Sequence, residues 1–264
     1  MTDQIVRTSV AQDGCATVTL NRPEVHNAFD DQLIAQLTHC MRELEANPQV
    51  RVIVLAAEGK SFSAGADLNW MKRMARYSEA ENLRDAVALG DLMHTISVLR
   101  KPVIARVQGP AYGGGVGLVA CCDIAIGTGA AAFSLSEVRL GLIPAVISPH
   151  VIAAIGERQA RRYFLTAERF DAAEALRIGL LHMVVEEGQL DTAVQGIVQQ
   201  LLKGGPKAQG AAKDLIGAVV NRPIDRAVVE DTAERIARIR VTPEGREGIA
   251  AFLEKRAASW TPKA

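Results

Sequence analysis

Short apolar runs of strand-like or fully buried texture fill the first part of the chain. Helical periodicity takes over toward the C-terminus. "QIVRTSVAQDGCATVTLNRP" holds two β-prone runs on either side of Asp13-Gly14, a dipeptide suited to a φ > 0 turn, and predicts a hairpin. In "DDQLIAQLTHCMRELEAN", Leu33, Ile34, Leu37, Cys40, Met41 and Leu44 recur at helical spacing, with Asp30 or Asp31 as cap. "VRVIVLAAEG" is apolar without alternation, the pattern of a strand buried on both faces. A helix from about Glu79 to Val98 and the strand "PVIARV" repeat the cycle, and "CDIAIG" with "AAFSL" forms a third. Strand, helix, strand in that order predicts an α/β fold with parallel sheet.

After about Ala167 the texture changes. "DAAEALRIGL", "GQLDTAVQGIVQQLLKG", "PKAQGAAKDLIGAVVN", "IDRAVVEDTAERIARIRV" and "TPEGREGIAAFLEKRAASW" read as successive amphipathic helices. Pro206 and Pro243 sit where first-turn prolines are tolerated. The division is an α/β core over 1–200 and a helical region over 201–264, a tail of the kind that packs on a partner chain. No low-complexity segment or repeat of fixed period is present.

Composition narrows the classes. With 264 residues and 48% hydrophobic content, the chain can bury a sizeable core. Lys+Arg and Asp+Glu both total 30, so there is no basic excess to bind nucleic acid. No apolar run reaches the length of a membrane span. The start, "MTDQIVRTSV", lacks a secretory pattern, which points to the cytoplasm. Cys15, Cys40, Cys121 and Cys122 have no C-x-x-C spacing and read as reduced thiols, not as a metal site.

Three stretches are candidates for chemistry. "GPAYGGGVGL" packs five glycines between Gly109 and Gly117. Their spacing does not fit a dinucleotide fingerprint or a Walker loop. They are either packing glycines or a source of free backbone N–H groups at a helix start. "GKSFSAGADLNWMKRM" places Ser63-Ala64-Gly65-Ala66 after a buried strand, where α/β folds hold ligands. Two such turns could aim two N–H donors at one carbonyl oxygen. In "FSLSEVRLGLIPAVISP", Glu137 stands among apolar residues. Burial there would raise its pKa toward that of a proton shuttle; the alternative is an ion pair with Arg139 or another arginine.

Taken in order, "LNRPEVHNAF", "SFSAGADL", "KPVIARVQGPAYGGGVGLVACCDIAIG", "FSLSEVRLGLIP", "LTAERFDAAEALRIGLLHMVV" and "EGREGIAAFLEKR" resemble the enoyl-CoA hydratase/isomerase, or crotonase, superfamily. The likeness covers nearly the whole chain. It implies a spiral of ββα turns with a C-terminal helical region, homotrimers or homohexamers, an acyl-CoA thioester as substrate, and no cofactor beyond the coenzyme A of that substrate. By position it implies that the N–H groups of Ala66 and Gly114 hold the thioester oxygen and that Glu137 exchanges a proton with the substrate Cα. The family's other hydratase glutamate falls at Gly117 and is missing.

That departure leaves two enzyme readings. Hydration must activate water at Cβ and protonate Cα, which two carboxylates divide naturally. A Δ3,Δ2-enoyl-CoA isomerase moves one proton and needs a single shuttle. A finer likeness of "SAGADLNWMKRMA", "GLVACCDIAIG" and "SEVRLGLIPAVISPHVIAAIGERQARRYFLTAERF" is to bacterial 3-methylglutaconyl-CoA and carboxygeranoyl-CoA hydratases of leucine and acyclic terpenoid breakdown. There "AVISPHV" replaces a common "GAGG" turn. Members of that group also carry Gly at the first glutamate position. The hydratase is therefore preferred and the isomerase is the alternative. A non-catalytic acyl-CoA or RNA binder is a third reading, disfavoured by the zero net charge and the retained Glu137.

Further expected contacts follow from the resemblance. Val25 and His26 match a segment lining the CoA adenine site, and Lys255 a basic residue near CoA phosphates. Ala64, Leu68, Tyr112 and Gly113 flank the two turns. Asp67 reads as a structural hydrogen-bonder beside the substrate. Trp70, Met71 and Met74 either line the acyl pocket or pack in the core. Lys72 or Arg73 could meet a distal substrate carboxylate, or be solvated. His150 could face the cavity, or be packed or on the surface.

Overall fold

Gly14, at φ +90°, turns the chain between β1 (Val6–Val10) and β2 (Cys15–Leu20), which pair antiparallel with Val10 opposite Ala16. The structure is a computed structural model and describes residues 4–262; the first three residues, where the segment read for a leader begins, and the last two lie outside the described residues. After β2 come α1 (Asp31–Ala46), β3 (Val52–Ala57), α2 (Leu68–Met74), α3 (Glu79–Val98), β4 (Val103–Val107), β5 (Ala111–Tyr112) and α4 (Gly114–Cys121). β6 (Ile124–Thr128), β7 (Ala132–Ser134), α5 (Ser148–Thr166), β8 (Phe170–Asp171), α6 (Ala172–Arg177) and β9 (Met183–Val185) follow. The chain ends in α7 (Leu190–Leu202), α8 (Pro206–Val219), α9 (Arg226–Arg240) and α10 (Pro243–Leu253).

The main sheet runs β1-β2-β3-β4-β6-β9, parallel throughout except for β1. A second layer is built from Ser63, which bridges Ala111, and from β5, β7 and β8. Three passes of the chain share one plan: a strand in the main sheet, a shorter extended piece in the second layer, then a helix. They are β3, Ser63 and α2–α3; β4, β5 and α4; β6, β7 and α5. This is the α/β spiral expected from the resemblance. It leaves no fixed sequence period, because the first pass carries two helices and the second only α4.

β3 is buried at every position, as its unbroken apolar run predicts. Alternate residues serve opposite faces. Ile53 and Leu55 join Leu33, Leu37 and Met41 of α1 in the larger core. Val52 and Val54 pack with Leu190, Val194, Val198 and Leu202 of α7 on the other face. Asp30, rather than Asp31, caps α1, accepting from the Leu33 N–H at 2.8 Å. The four cysteines are free, and burial pushes the Cys15 thiol up to about 11.

α7 thus belongs to the core up to Leu202, and the peripheral helices are α8–α10. Pro206 and Pro243 occupy their helices' first positions. α9 buries no residue, α8 only Gly210 and α10 only Ala251. Ile216, Ile224 and Phe252 stand exposed. Among the described residues, no helix is long and apolar enough to cross a membrane.

Candidate active site

Three turns meet at the end of the second layer. The first is Ser61–Asp67, the second Gly109–Gly114, the third a 3-10 turn over Glu137–Leu140. Backbone bonds stitch the first to the second: the N–H groups of Phe62 and Ser63 donate to Pro110 O, and the Tyr112 N–H donates to Ser63 O at 2.9 Å. Gly115 allows this approach, since a Cβ there would stand 2.7 Å from Ser63 O. The Gly113 N–H donates to Ser134 O, tying the second turn to β7 and so to the segment that carries Glu137.

The backbone donors of Ala66 and Gly114 are among those left over. Ala66 bridges Phe29, yet the bonds of that bridge are Phe29 N–H to Gly65 O and Asp67 N–H to Phe29 O. Among the described residues, neither the Ala66 nor the Gly114 N–H has a protein acceptor. Gly114 opens α4, at the helix end whose dipole favours negative charge, and the helix's own bonds begin only with the Val116 N–H, which donates to Gly113 O. A Cβ on Gly114 would lie 3.1 Å from Cε2 of Phe29, the residue that bridges Ala66.

Glu137 completes the group. A Cβ on Gly113, whose φ is +49°, would stand 3.1 Å from Glu137 Oε1. Oε2 is buried and has no hydrogen-bond partner among the described residues. Burial raises this carboxyl above the ordinary glutamate range, and a backbone hydrogen bond offsets the shift only in part. The ion pair with Arg139 does not form: Arg139 is exposed, and Glu137 takes part in no salt bridge among the described residues. Its free carboxyl therefore stands beside the turn that carries the free N–H of Gly114.

The comparisons fit this arrangement. The model of the family described as enoyl-CoA hydratase/isomerase matches residues 10–263. The chain belongs to the enoyl-CoA hydratase/isomerase family. A crotonyl-CoA hydratase of Syntrophomonas wolfei is 32% identical, over 96% of each chain. A short-chain-enoyl-CoA hydratase of Clostridium acetobutylicum is 32% identical, over 91% of this chain and 92% of its own. The crystal structure of an enoyl-CoA hydratase from Shewanella pealeana superposes with a TM-score of 0.95 at 45% identity, covering 97% of this chain and 96% of that one.

Val25 ends a 3-10 turn, Pro23–Val25, and the exposed His26 follows at φ +54°. This strap lies on the first turn: the Ala64 N–H donates to His26 O at 2.9 Å, and His26 Nδ1 meets Ser61 Oγ at 3.0 Å. Ala64, Ala66 and Leu68 are exposed, and Tyr112 is half-buried with Arg169 over its ring. Asp67 has structural partners. It caps α2 through the Asn69 and Trp70 N–H groups and accepts from Arg22. Trp70 is buried in the core and donates to Asp85 of α3, at a hollow between α1 and α3. Arg73 pairs with Asp31. His150 is half-buried, its pKa lowered by burial and by His94. Lys255 is exposed just after α10, which packs with α8 and α9. The described residues contain no cluster of His, Cys, Asp or Glu suited to a metal.

Sequence reading missed the residues that hold these turns. Buried Asn27 donates to Glu58 O and Ser61 O and accepts from the Arg22 N–H. Arg22 pairs with both helix caps, Asp30 and Asp67. The signal was Asn27 itself, a residue that tolerates its φ of +54°. Asn27→Ala should cost roughly 2–4 kcal/mol, from unmet buried groups and left-handed strain. A urea midpoint equal to that of the parent protein would refute this role.

Gly117, where the resemblance places the missing acid, has a neighbour that no local sequence pattern announces. A Cβ there would overlap Cγ2 of Ile147 and come within 2.9 Å of its Cβ and 3.2 Å of Met93 Cε. The space is filled by hydrocarbon.

Proposed function

We propose that the protein is an enoyl-CoA hydratase that adds water across the 2,3 double bond of an acyl-CoA thioester. The observation that carries the reading is the buried, unpartnered carboxyl of Glu137 beside the turn of a free helix-start N–H. The Ala66 and Gly114 N–H groups hold the thioester oxygen. As water's oxygen bonds to Cβ, the double-bond electrons move through Cα toward the thioester oxygen, and the two donors stabilise the enolate charge there. Glu137 takes the proton of the attacking water and returns a proton to Cα, in one concerted addition on one face. Its raised pKa suits both steps. Every step uses protein groups and the coenzyme A thioester alone.

The proposed substrate class is the branched, carboxylate-bearing enoyl-CoA represented by 3-methylglutaconyl-CoA. The support is the likeness of the "AVISPHV" stretch to the hydratases of that group. The same reading has the enzyme act in the cytoplasm as a homotrimer or homohexamer, with the exposed apolar residues of α8–α10 at subunit contacts. A Δ3,Δ2-enoyl-CoA isomerase is the second reading. It is favoured by the hydrocarbon over Gly117, which leaves one carboxylate to move one proton.

Incubation with 3-methylglutaconyl-CoA, crotonyl-CoA and a 3-enoyl-CoA separates these readings. The hydratase adds the mass of one water to a 2-enoyl-CoA, fastest to the branched substrate. Isomerisation leaves mass unchanged and shifts the double bond. Turnover of none of the three would refute both.

A further inference from the structure

Phe29 touches both turns that carry the free donors. Its backbone straddles Ala66: the Phe29 N–H donates to Gly65 O at 2.6 Å, and the Asp67 N–H donates to Phe29 O at 2.7 Å. Gly65 C=O and the Ala66 N–H belong to one planar trans peptide. The bond that holds the carbonyl therefore aims the N–H the opposite way. The Phe29 ring is buried and lies against Gly114, where a Cβ would stand 3.1 Å from Cε2 and 3.3 Å from Cδ2. The strap around Phe29 is pinned in turn. Ser63 Oγ donates to Asn27 O, and Arg22 Nη1 donates to Ala28 O and pairs with Asp30. The backbone bonds between the two turns join Phe62 and Ser63 to Pro110 and Tyr112, and stop short of both donors.

We propose that Phe29 is a positioning residue of this site: its backbone aims the Ala66 N–H, its ring seats Gly114, and the side chain between them sets the gap in which one oxygen is held. Two donors serve one oxyanion only when each comes within about 2.7–3.1 Å of it. A misplacement of about 1 Å costs on the order of 10²-fold in rate. A methyl at Gly114 would ask the ring to give by only a few tenths of an ångström, a far smaller change than loss of the ring. The inference rests on the reading of Ala66 and Gly114 as the donors to the thioester oxygen.

The test separates positioning from packing. Phe29→Leu keeps the backbone bonds and removes the outer ring atoms that face Gly114. Its kcat on crotonyl-CoA should fall about 10–10²-fold, with KM changed by less than about threefold. Phe29→Met reaches further than Leu and should lie between Phe29→Leu and the parent; it carries the test should Phe29→Leu fail to fold. Leu37→Ala empties part of the same core from α1 and destabilises at least as much. It should keep kcat within about threefold of the parent. A second readout needs no turnover: the infrared carbonyl stretch of bound, carbon-13-labelled butyryl-CoA, which has no double bond to hydrate. Binding to the parent should lower the stretch, Phe29→Leu should lose about half of that shift or more, and Leu37→Ala should keep it. A folded Phe29→Leu with the full shift or the parent kcat would overturn the role, as would Leu37→Ala matching its losses. A parent that leaves the stretch unmoved would refute the donor pair and this inference with it. A full shift with no enoyl-CoA hydrated would instead count against the hydratase reading alone.

Discussion

Glu137→Gln is expected to lower turnover of an enoyl-CoA by about 10²–10⁴-fold, the usual contribution of a positioned acid–base group. The amide is nearly isosteric and fills the same half-buried place, but it can neither accept the proton of water nor return one to Cα. The substitution should not harm the fold. A carboxyl whose folded pKa is raised binds its proton more tightly in the native state than in the unfolded chain. Its protonation therefore supports stability below the unfolded value of about 4.3, and that support is lost as pH rises through the folded pKa. At neutral pH the ionised carboxylate is a burden that Gln removes. Glu137→Gln should thus be at least as stable as the parent at pH 7, with its relative advantage fading in acid. Steady-state rates alongside urea unfolding at several pH values check both halves. An active variant, or one that unfolds more readily at pH 7 than in acid relative to the parent, would contradict the assignment.

The second large effect is expected at Gly114. A side-chain change cannot remove a backbone donor, but proline can, and proline is tolerated at the first position of a helix. Gly114→Pro should lower kcat by about 10²–10³-fold, the typical loss of one oxyanion donor. Any Cβ at this position meets the Phe29 ring at 3.1 Å. Gly114→Ala therefore carries the same crowding with the N–H intact and should keep most of the activity. The pair of variants separates donor from shape. Equal losses in both, with circular dichroism showing both folded, would place the effect in the Phe29 contact and leave no role for the N–H.

The fold was legible where one force dominates. β3 reads as an unbroken apolar run because both its faces are covered, by α1 and by α7. The hairpin reads from the Asp13-Gly14 dipeptide because its turn needs a positive φ, which Gly14 adopts at +90°. The spiral itself came from the resemblance, since passes of unequal length leave no period in the sequence. At the site, Glu137 could be singled out as a charge among apolar neighbours, but its freedom from Arg139 could not, because pairing depends on where a flexible arginine points. The free N–H groups of Ala66 and Gly114 were inaccessible to composition and spacing. Backbone donors carry no residue signature, and only the bonds that their neighbours Gly113 and Asp67 make elsewhere set them apart. Asn27 and Ile147 act through long-range packing, linking 27 to 58–61 and 147 to 117, and no local pattern announces either.

Deuterium placement tests the role of Glu137 most directly. The protein and its Glu137→Gln variant are incubated with a 2-enoyl-CoA in heavy water, and the product is read by mass and proton NMR. The parent should give a 3-hydroxyacyl-CoA with one deuterium at Cα on a single face, and the variant should give almost none. Stereorandom deuterium at Cα, or the same product formed at an undiminished rate by the variant, would show that Glu137 does not carry the proton.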